Sequence, residues 1–384
     1  MKVTVERAAL LKSLGHVHRV VERRNTIPIL SNVLVRAESE GLRLKATDLD
    51  MEVTETIPAD VSRPGATTMP AHVIYDVIRK LPEGAQVALE MANESGPMQI
   101  RSGRSRFTLQ TLPESDFPDL AAGDLPCRFQ LPAADLKRLI DKTQFAISTE
   151  ETRYYLNGIF FHTVEAGSGA GTMLRAVATD GHRLARVEMP APQGAEGMPG
   201  VIVPRKAVAE IQKLVEDGEA SIGVELSPAK IRLTFNGPAG GDASARGVVL
   251  TSKLIDGTFP DYQRVIPSGN DKRLIVERED FAKAVDRVST ISSERGRAVK
   301  LALGDGRLTL TVNNPDSGNA TEELDADYDA PSLDIGFNAR YLLDIAAQLE
   351  GDTAVFRLAD PGSPTLIQDR EGAPALYVLM PMRV

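Results

Sequence analysis

Hydrophobic and polar positions repeat along this chain in the same order three times. Each copy opens with alternating apolar and polar residues and continues with apolar residues at helical spacing. The period-two segments predict strands, and the segments that follow predict amphipathic helices. The three openings are KVTVERAALLKSLGHV from Lys2, CRFQLPAADLKRLIDKTQFAI from Cys127 and KRLIVEREDFAKAVDRVSTI from Lys272.

A second helix is predicted in every copy, between two further alternating segments. The segments that contain it begin at Thr67, Val201 and Leu333. Each predicted helix ends near a glycine and leads into another strand pattern, as expected where a helix stops and a sheet resumes. The six predicted helices span residues 6–18, 71–81, 133–143, 205–216, 279–290 and 338–349.

Two helices and many strands in each copy predict the α+β class, with helices packed on one face of antiparallel sheets. The three starts divide the chain into residues 1–126, 127–271 and 272–384, which are ordinary domain sizes. The repeat alone also permits a linear string of three domains that forms no closed assembly.

The composition, 42% hydrophobic and 25% charged without a long apolar run, predicts a globular protein with no membrane partner. The amino terminus lacks an apolar signal core, so a cytoplasmic location is expected. A single cysteine, Cys127, excludes an intrachain disulfide and a Cys-based zinc site. Cys127 is predicted to be a small buried apolar residue.

The distribution of charge matters more than its sum. A net charge of −9 alone argues against a polyanionic partner. The predicted helices, however, carry thirteen Lys and Arg against ten acids, so positive charge is enriched on one class of element. A shared helical surface of this kind suits sequence-independent contact with phosphates. The alternative is that these are ordinary mixed helix faces in water.

The chain shows no local signature of catalysis. It contains no GxSxG elbow, phosphate-binding loop, dinucleotide-binding glycine motif or HExxH motif. Asp48 and Asp50 in TDLD lie on one face of a predicted strand, but Asp is also a common turn former. An enzyme acting on nucleic acid or sugar phosphates would use Asp48, Asp50, Asp180 and His182. The residues favour a non-catalytic protein without cofactor or metal.

Nine segments resemble the β subunit of bacterial DNA polymerase III, the sliding clamp. They follow that family's order along nearly the whole chain, and their combination is highly specific. The segments are TIPILSNVLV from Thr26, TDLD from Thr47, RSGRSRF from Arg101, FPDL from Phe117, TRYYLNGIFF from Thr152, ATDGHRLA from Ala178, TSKLIDGTFPDYQRVIP from Thr251, GFNARYLLD from Gly336 and YVLMPMRV from Tyr377.

The resemblance implies three repeated sliding-clamp domains per subunit and a head-to-tail homodimer that forms a ring. Helices are expected to line the hole and sheets to lie outside. The ring is expected to encircle double-stranded DNA without sequence preference, as a nucleoid-associated processivity factor. Expected partners are the polymerase III catalytic subunit, the clamp loader and other proteins with a clamp-binding motif. A scaffold that binds only proteins is the remaining non-catalytic alternative.

The resemblance also implies three sets of site residues. A partner-peptide pocket between the second and third domains is expected to comprise Leu156, Thr179, Gly181, His182, Arg183, Leu184, Pro260, Arg264, Val265, Asn338, Tyr341, Val378, Leu379, Met380, Pro381, Met382 and Arg383. For DNA contact, the resemblance implies Arg24, Tyr154 and Tyr155, and the charge of the predicted helices adds Arg79, Lys80, Lys137, Arg138, Arg205 and Lys206. The dimer interface is expected at Arg104, Arg106, Phe107 and Ile291.

Three residues depart from the family pattern. Glu150 stands where the best-known members have Gln, and its charge is expected to repel phosphate. Pro364 replaces a small polar residue, and Val384 replaces the more usual terminal Leu. The proline between two methionines in VLMPMRV predicts that the chain end is not a regular strand, because proline cannot donate to a ladder.

Overall fold

The computed structural model describes residues 1–93, 96–166, 171–215, 221–235, 247–292 and 297–384. By its internal contacts the chain divides into two compact units. Unit 1 comprises Met1–Lys137, Pro192–Pro199 and Lys206–Leu254, and unit 2 comprises Arg138–Ala191, Gly200–Arg205 and Ile255–Val384. Within the described residues, every helix is too short or too polar to span a bilayer.

All six predicted helices are present in the described residues, each ending one to three residues earlier than expected. Several helices are followed by a single turn. After the sixth, for example, the N–H of Leu349 donates to the carbonyl of Ala346. Residue 216, the expected end of the fourth helix, lies outside the described residues. The helices are α1 Arg7–Val17, α2 Ala71–Arg79, α3 Ala133–Asp141, α4 Arg205–Leu214, α5 Arg278–Ser289 and α6 Ala339–Ala346.

The rest of the regular structure is antiparallel strand. In chain order the strands are β1 Lys2–Glu6, β2 Asn32–Glu38, β3 Gly41–Thr47, β4 Met51–Ile57, β5 Asp60–Arg63, β6 Gly65–Pro70, β7 Gln86–Glu90, β8 Met98–Ser102, β9 Ser105–Leu109, β10 Cys127–Leu131, β11 Gly158–Glu165, β12 Thr172–Thr179, β13 Arg183–Pro190, β14 Val201–Pro204, β15 Ile222–Leu226, β16 Lys230–Phe235, β17 Val248–Lys253, β18 Lys272–Glu277, β19 Ala298–Gly304, β20 Arg307–Asn314, β21 Gly318–Asp325, β22 Asp327–Tyr328, β23 Leu333–Asn338, β24 Thr353–Leu358, β25 Thr365–Gln368 and β26 Ala375–Leu379.

The threefold repeat is confirmed in the backbone pairing. In each copy the opening strand pairs antiparallel with the strand after the second helix, as β1 with β7, β10 with β15 and β18 with β24. The strand before the second helix pairs with the strand that follows the first helix region, as β6 with β2, β14 with β11 and β23 with β19. The α+β class and the repeated module are therefore both present.

Copies are joined by pairing between their outer strands. In unit 1, β17 pairs with β4 and completes an eight-stranded sheet in the order β10-β15-β16-β17-β4-β3-β2-β6. In unit 2, β26 pairs with β13 in a nine-stranded sheet, β14-β11-β12-β13-β26-β25-β24-β18-β22. The other sheets are β5-β1-β7-β8-β9 in unit 1 and β21-β20-β19-β23 in unit 2. Among the described residues, β9 and β21 are therefore free along one edge.

The same tight turn occurs once in each unit and explains the two TD motifs. The Asp48 Oδ1 atom accepts the N–H groups of the second and third residues after it, at 3.0 and 2.7 Å. The Asp180 Oδ1 atom does the same at 2.9 and 3.0 Å. The intervening Leu49 and Gly181 both have positive φ, 77° and 88°. The prediction of Asp48 as a turn former is confirmed.

The prediction that Cys127 is buried is wrong. Its side chain is partly exposed, with Sγ 3.7 Å from the carbonyl oxygen of Gly194. The reason is its position as the first residue of β10, an edge strand of the eight-stranded sheet. Partial burial, and then the nearby Glu196 carboxylate, raise the pKa of the thiol, so it stays protonated at neutral pH.

Candidate functional site

An apolar cluster lies on one face of the nine-stranded sheet in unit 2. Because side chains alternate along strands, Leu184 of β13 and Val378 of β26, which are directly opposed in register, share this face. The cluster gives a dry floor against which other apolar groups can pack. Its buried members are Leu156, Val177, Leu184, Ile202, Phe259, Tyr262, Leu376 and Val378.

The segment after β17 forms a wall over this floor. Phe259 and Tyr262 are buried in the apolar cluster, whereas Pro260, Arg264 and Val265 are exposed. A 3₁₀ helix at Tyr262–Val265 produces this separation. The segment thus anchors itself with two aromatic rings and presents an apolar and cationic edge to solvent.

Arg183 is a structural cation on the opposite face of the same sheet end. Its Nε lies 3.1 Å from Asp180 Oδ2, Nη1 lies 2.5 Å from Asp344 Oδ2, and Nη2 donates to the Phe145 carbonyl at 2.7 Å. The guanidinium also lies over the rings of Tyr341 and Phe145, at 4.3 and 5.0 Å. Its side chain is only 9% exposed. Arg183 therefore ties the turn, α6 and the chain before β11 together.

The turn between β12 and β13 has a glycine at its tip, where the backbone conformation and the nearby Arg153 both favour it. Gly181 has φ of +88°, and a Cβ there would lie 2.5 Å from Nη1 of Arg153. The next residue, His182, is exposed, and its ring stacks with Tyr341 at a centroid distance of 6.3 Å. The His182 carbonyl accepts the N–H of Met380 at 2.9 Å. This bond fixes the start of the carboxy-terminal tail to the turn.

The tail after β26 follows an irregular path, as the proline predicted. The N–H of Met382 donates to the Gly336 carbonyl at 2.8 Å. The side chain of Val384 lies against Gly336, where even a Cβ would clash with it. Met380 is exposed, while Met382 and the proline between them are half-buried. The tail thus presents flexible thioether side chains at the end of β26, the strand that supplies Val378 to the floor.

Asn338 acts as the amino-terminal cap of α6. Its Oδ1 accepts the N–H of Arg340 at 3.0 Å and that of Tyr341 at 3.4 Å. The cap fixes the first turn of the helix and so the direction of the Tyr341 ring. Partial burial, and secondarily the charge of Asp180, raise the pKa of Tyr341, which keeps its hydroxyl protonated.

The chain matches three family models, which together cover most of its length. They describe the DNA polymerase III beta subunit: the N-terminal domain at residues 1–121, the central domain at 130–261 and the C-terminal domain at 263–383. The chain belongs to the DNA polymerase III β-subunit family. Members of this sliding-clamp family are processivity factors in DNA replication and not enzymes.

Similarity to individual clamps extends over whole chains. The beta sliding clamp of Caulobacter vibrioides is 55% identical over 384 residues, and that of Escherichia coli K12 is 41% identical over 385, with complete coverage of both chains in each case. A Bartonella birtlesii clamp bound to griselimycin has a TM-score of 0.94 at 57% identity, covering 100% of each chain. A Pseudomonas aeruginosa clamp has a TM-score of 0.90 at 37% identity, also with full coverage.

The acids considered for catalysis serve the clamp scaffold instead. Asp48 Oδ2 contacts the ammonium of Lys206, Asp50 pairs with Lys253 at 2.9 Å, and Asp180 is held in its turn with Arg183. In the part of the chain that the structure describes, no group of three His, Cys, Asp or Glu side chains is arranged to hold a metal. Each of these carboxylates therefore has a structural role.

Three of the cations expected to contact DNA have acidic partners within the chain. Arg79 pairs with Asp76 at 3.0 Å and Arg138 pairs with Glu350 at 3.2 Å. Burial alone would lower the pKa of Lys206, but hydrogen bonds with Asp48 and Glu22 outweigh it and raise that pKa. Lys206 therefore stays charged, and its charge is already compensated by acidic side chains within unit 1. The remaining cations of the set are exposed: Arg24, Lys80, Lys137 and Arg205.

The loop with the two tyrosines contains its own counter-ion. Tyr154 is exposed and meets Tyr155 edge to face at 5.7 Å. Arg153 Nε lies 2.8 Å from Glu150 Oε2, and this hydrogen bond lowers the pKa of Glu150. Glu150 was expected to repel phosphate, but its charge is compensated by Arg153. The pair is neutral overall, so Glu150 leaves the loop with one positive charge fewer than Gln would, but it does not present an isolated negative charge.

Three of the four expected dimer residues lie on or beside the edge strand β9, and the fourth, Ile291, follows α5. Arg104, Arg106 and Phe107 are exposed on or beside β9, and Phe107 is 36% exposed. Ile291 is half-buried, and its carbonyl accepts a hydrogen bond from Asn314 Nδ2 at 2.7 Å. An exposed edge strand with an aromatic side chain is an available pairing surface.

Sequence reasoning missed the residues that hold the pocket in shape. Phe145, Arg153 and Asp344 position Arg183 or the turn, and Tyr262 anchors the wall. The only available signal was the presence of two aromatic residues, Phe259 and Tyr262, close together in the sequence. Partners such as Asp344 are 161 positions away from Arg183 and give no local signal.

Gln substitution should destabilise the protein at one arginine of the expected pocket and have little effect at another. Arg183→Gln removes a buried cation with three partners and should lower the free energy of unfolding by about 2–4 kcal/mol. Arg264→Gln is the matched control, because that side chain is 84% exposed, and should change stability by less than about 0.5 kcal/mol. Urea denaturation of both variants measures this. Equal effects would contradict the structural assignment of Arg183.

Proposed function

We propose that two copies of this chain close head to tail into a ring around duplex DNA, and that the ring holds its partners by short peptides in the unit 2 pocket. The observation that carries the proposal is that β9 and β21, the strands at the junction positions of the repeat, have no junction partner in the described part of the chain. The modules of the ring are residues 1–126, 127–271 and 272–384. The proposal includes a cytoplasmic, nucleoid-associated location, because the ligand is chromosomal DNA.

The repeat indicates what should pair with the free edges. At both internal junctions, the last strand of one copy pairs with the fourth strand of the preceding copy, β17 with β4 and β26 with β13. The corresponding strands that remain are β9, the last of the first copy, and β21, the matching strand of the third. Pairing β9 of one chain with β21 of another repeats the same junction. Such a heterologous contact generates a ring when it closes.

Side chains near the two edges suit this junction. Arg104 and Arg106 form no ion pair within the described residues, and neither does Asp325 at the end of β21. Opposite charges across paired strands stabilise the pairing modestly. Phe107 and Ile291 would supply the apolar contact. This supports the expected dimer residues, with two interfaces in each ring.

The proposed DNA contacts are the cations of the helices and the loops beside them. The helices carry twelve Lys and Arg against eight Asp and Glu, in a chain whose net charge is −9. Contacts of this kind go to phosphates and give no sequence preference. Arg24, Lys80 and Arg205 would contribute most, Lys137 is a further proposed contact, and Arg79, Arg138 and Lys206 are weakened by their acidic neighbours. Tyr154 and Tyr155 would pack against the sugar-phosphate backbone.

The proposed peptide pocket combines the apolar floor, the wall and the tail of unit 2. Leu156, Leu184 and Val378 form the floor, and Val265 of the wall and Met380 of the tail are exposed apolar groups. Methionines adapt to different side chains, which suits a site for several partners. The remaining members of the proposed pocket are Thr179, Gly181, His182, Arg183, Pro260, Arg264, Asn338, Tyr341, Leu379, Pro381, Met382 and Arg383.

Retention on DNA should depend on DNA topology. A ring loaded by a clamp loader onto nicked circular plasmid should stay bound during gel filtration in high salt, because it is linked to the DNA and not held by affinity. Cutting the plasmid once with a restriction enzyme should release most of the protein, since the ring slides off the ends. Equal retention on both forms would reject the ring and favour a scaffold that binds only proteins.

Arg24→Ala should weaken DNA binding equally for all sequences. Loss of a phosphate contact should reduce the slope of log affinity against log salt by about 0.9 for each contact. Fluorescence anisotropy with two unrelated duplexes at several salt concentrations measures this. Arg273→Ala, at a half-exposed arginine paired with Asp327 and outside the proposed set, is the control. A slope unchanged from the unmodified protein would remove Arg24 from the interface.

Deletion of residues 380–384 should abolish peptide binding while the dimer persists. The deletion removes Met380 and Met382, and with them the two hydrogen bonds that fix the tail beside the floor. Fluorescence polarisation with a labelled clamp-binding peptide reports affinity, and analytical ultracentrifugation reports the dimer. Dissociation into monomers would show that the tail serves the interface and not the pocket.

A further inference from the structure

The hydroxyl of Tyr262 is the centre of a buried polar network beneath the pocket wall. Tyr262 is 5% exposed. Its Oη lies 3.0 Å from His162 Nε2 and accepts a hydrogen bond from Arg175 Nη1 at 3.2 Å. The network therefore joins the wall segment to β11 and β12 through one phenol oxygen.

The partners of Tyr262 form a row across three strands. His162 of β11 is directly opposite Arg175 of β12, which is opposite Glu188 of β13. Arg175 Nε donates to Glu188 Oε2 at 2.7 Å. Cross-strand neighbours on one face are held in place by the sheet itself. The row is thus a rigid platform on which the Tyr262 hydroxyl rests.

A second arginine adds positive charge to this platform. Arg186 of β13 lies 3.6 Å from Glu188, and its buried Nε has no hydrogen-bond partner in the described structure. Burial, partly opposed by Glu188, lowers the pKa of Arg186. Arg175 and Arg186 share a single carboxylate, so a further positive charge at this place is unfavourable.

The donors and acceptors around the Tyr262 hydroxyl are compatible with neutral His162 and not with its protonated form. Arg175 has no acceptor, so its contact with Tyr262 uses an oxygen lone pair. The phenol proton is then free to bond to Nε2 of a neutral imidazole. Protonated His162 has only donors, so it would leave the phenol proton without an acceptor and add a cation beside Arg175.

We propose that Tyr262, supported by His162 and Arg175, is a positioning residue that sets the wall of the peptide pocket, and that protonation of His162 loosens this wall and weakens peptide binding. Tyr262 itself does not reach the bound peptide. It acts through Pro260, Arg264 and Val265, which share its short segment. This inference rests on the peptide-binding function proposed above.

The direction of the pH effect follows from the surroundings of His162. Burial lowers its pKa, a hydrogen bond with the backbone of Thr163 partly opposes this, and the charge of Arg175 lowers it further. The folded state therefore favours neutral His162. Neutral His162 stabilises the folded state fully above its ordinary pKa of about 6.5. This stabilisation is lost as the pH falls through the lower pKa that His162 has in the folded protein. The other charged groups facing this network are Glu188 and Arg186.

Tyr262→Phe tests the positioning role. It keeps the ring in the apolar cluster and removes only the hydroxyl, so we expect affinity for a labelled clamp-binding peptide to fall about fivefold at pH 7.5. Tyr328→Phe is the matched control, because it removes a comparable hydrogen bond to the Pro331 carbonyl outside the pocket. The control should bind like the unmodified protein. Equal affinity in all three proteins would overturn the inference.

His162→Gln tests the pH dependence and does not require the Tyr262 variant to fold. A peptide without histidine should bind the unmodified protein about three- to tenfold more weakly at pH 5.5 than at pH 7.5. The Gln variant keeps a hydrogen-bonding group without a titrating charge, so its affinity should change less. Any effect of exposed His182 is common to both proteins. Parallel pH profiles would refute the role of His162.

Failure of the proposed peptide pocket and failure of the Tyr262 inference give different results. If the unmodified protein binds no clamp-binding peptide at either pH, the proposed pocket itself is wrong. If it binds, but neither Tyr262→Phe nor His162→Gln changes the affinity or its pH profile, only the positioning inference is wrong. Thermal unfolding of each variant accompanies both measurements, so that a fall in affinity is compared with any fall in stability.

Discussion

Backbone hydrogen bonding at strand edges is the constraint on which the rest of this structure depends. An edge strand leaves N–H and C=O groups without partners, and such edges pair with whatever strand is available. In the repeated module, two of the edge strands form the junctions between copies. Inside the chain they satisfy one another, as β17 with β4 and β26 with β13. The two that remain, β9 and β21, give a physical reason for self-association.

The same sheet junction in unit 2 also builds the pocket. Where β13 meets β26, alternation places Leu184 and Val378 on the apolar face and Arg183 and Leu379 on the other. Residues that are adjacent in the sequence therefore lie on opposite faces of the sheet and have different structural roles. Leu184 supplies floor, whereas Arg183 fixes the turn and α6 through Asp344.

Most polar groups of the pocket region serve its shape before they serve a ligand. Asn338 caps α6, Arg183 is a buried cation, and Tyr262 holds the wall through its hydroxyl. The exposed groups, such as Arg264 and His182, are few. A rigid support with adaptable methionines above it reduces the ordering cost of binding while keeping tolerance for different peptides. The Tyr262 network would make that support sensitive to protonation.

The sequence by itself determined the repeat, the six helices, the α+β class and the family, because these depend on local periodicity and on motifs read in order. It also identified the tail as irregular from one proline. Only the tertiary structure decided that Cys127 is partly exposed, that Glu150 is compensated by Arg153, and that Lys206 is occupied by Asp48. It alone revealed Asp344 and Tyr262 as supports of the pocket. Such facts depend on which distant side chains the strand pairing brings together, and no local pattern encodes that.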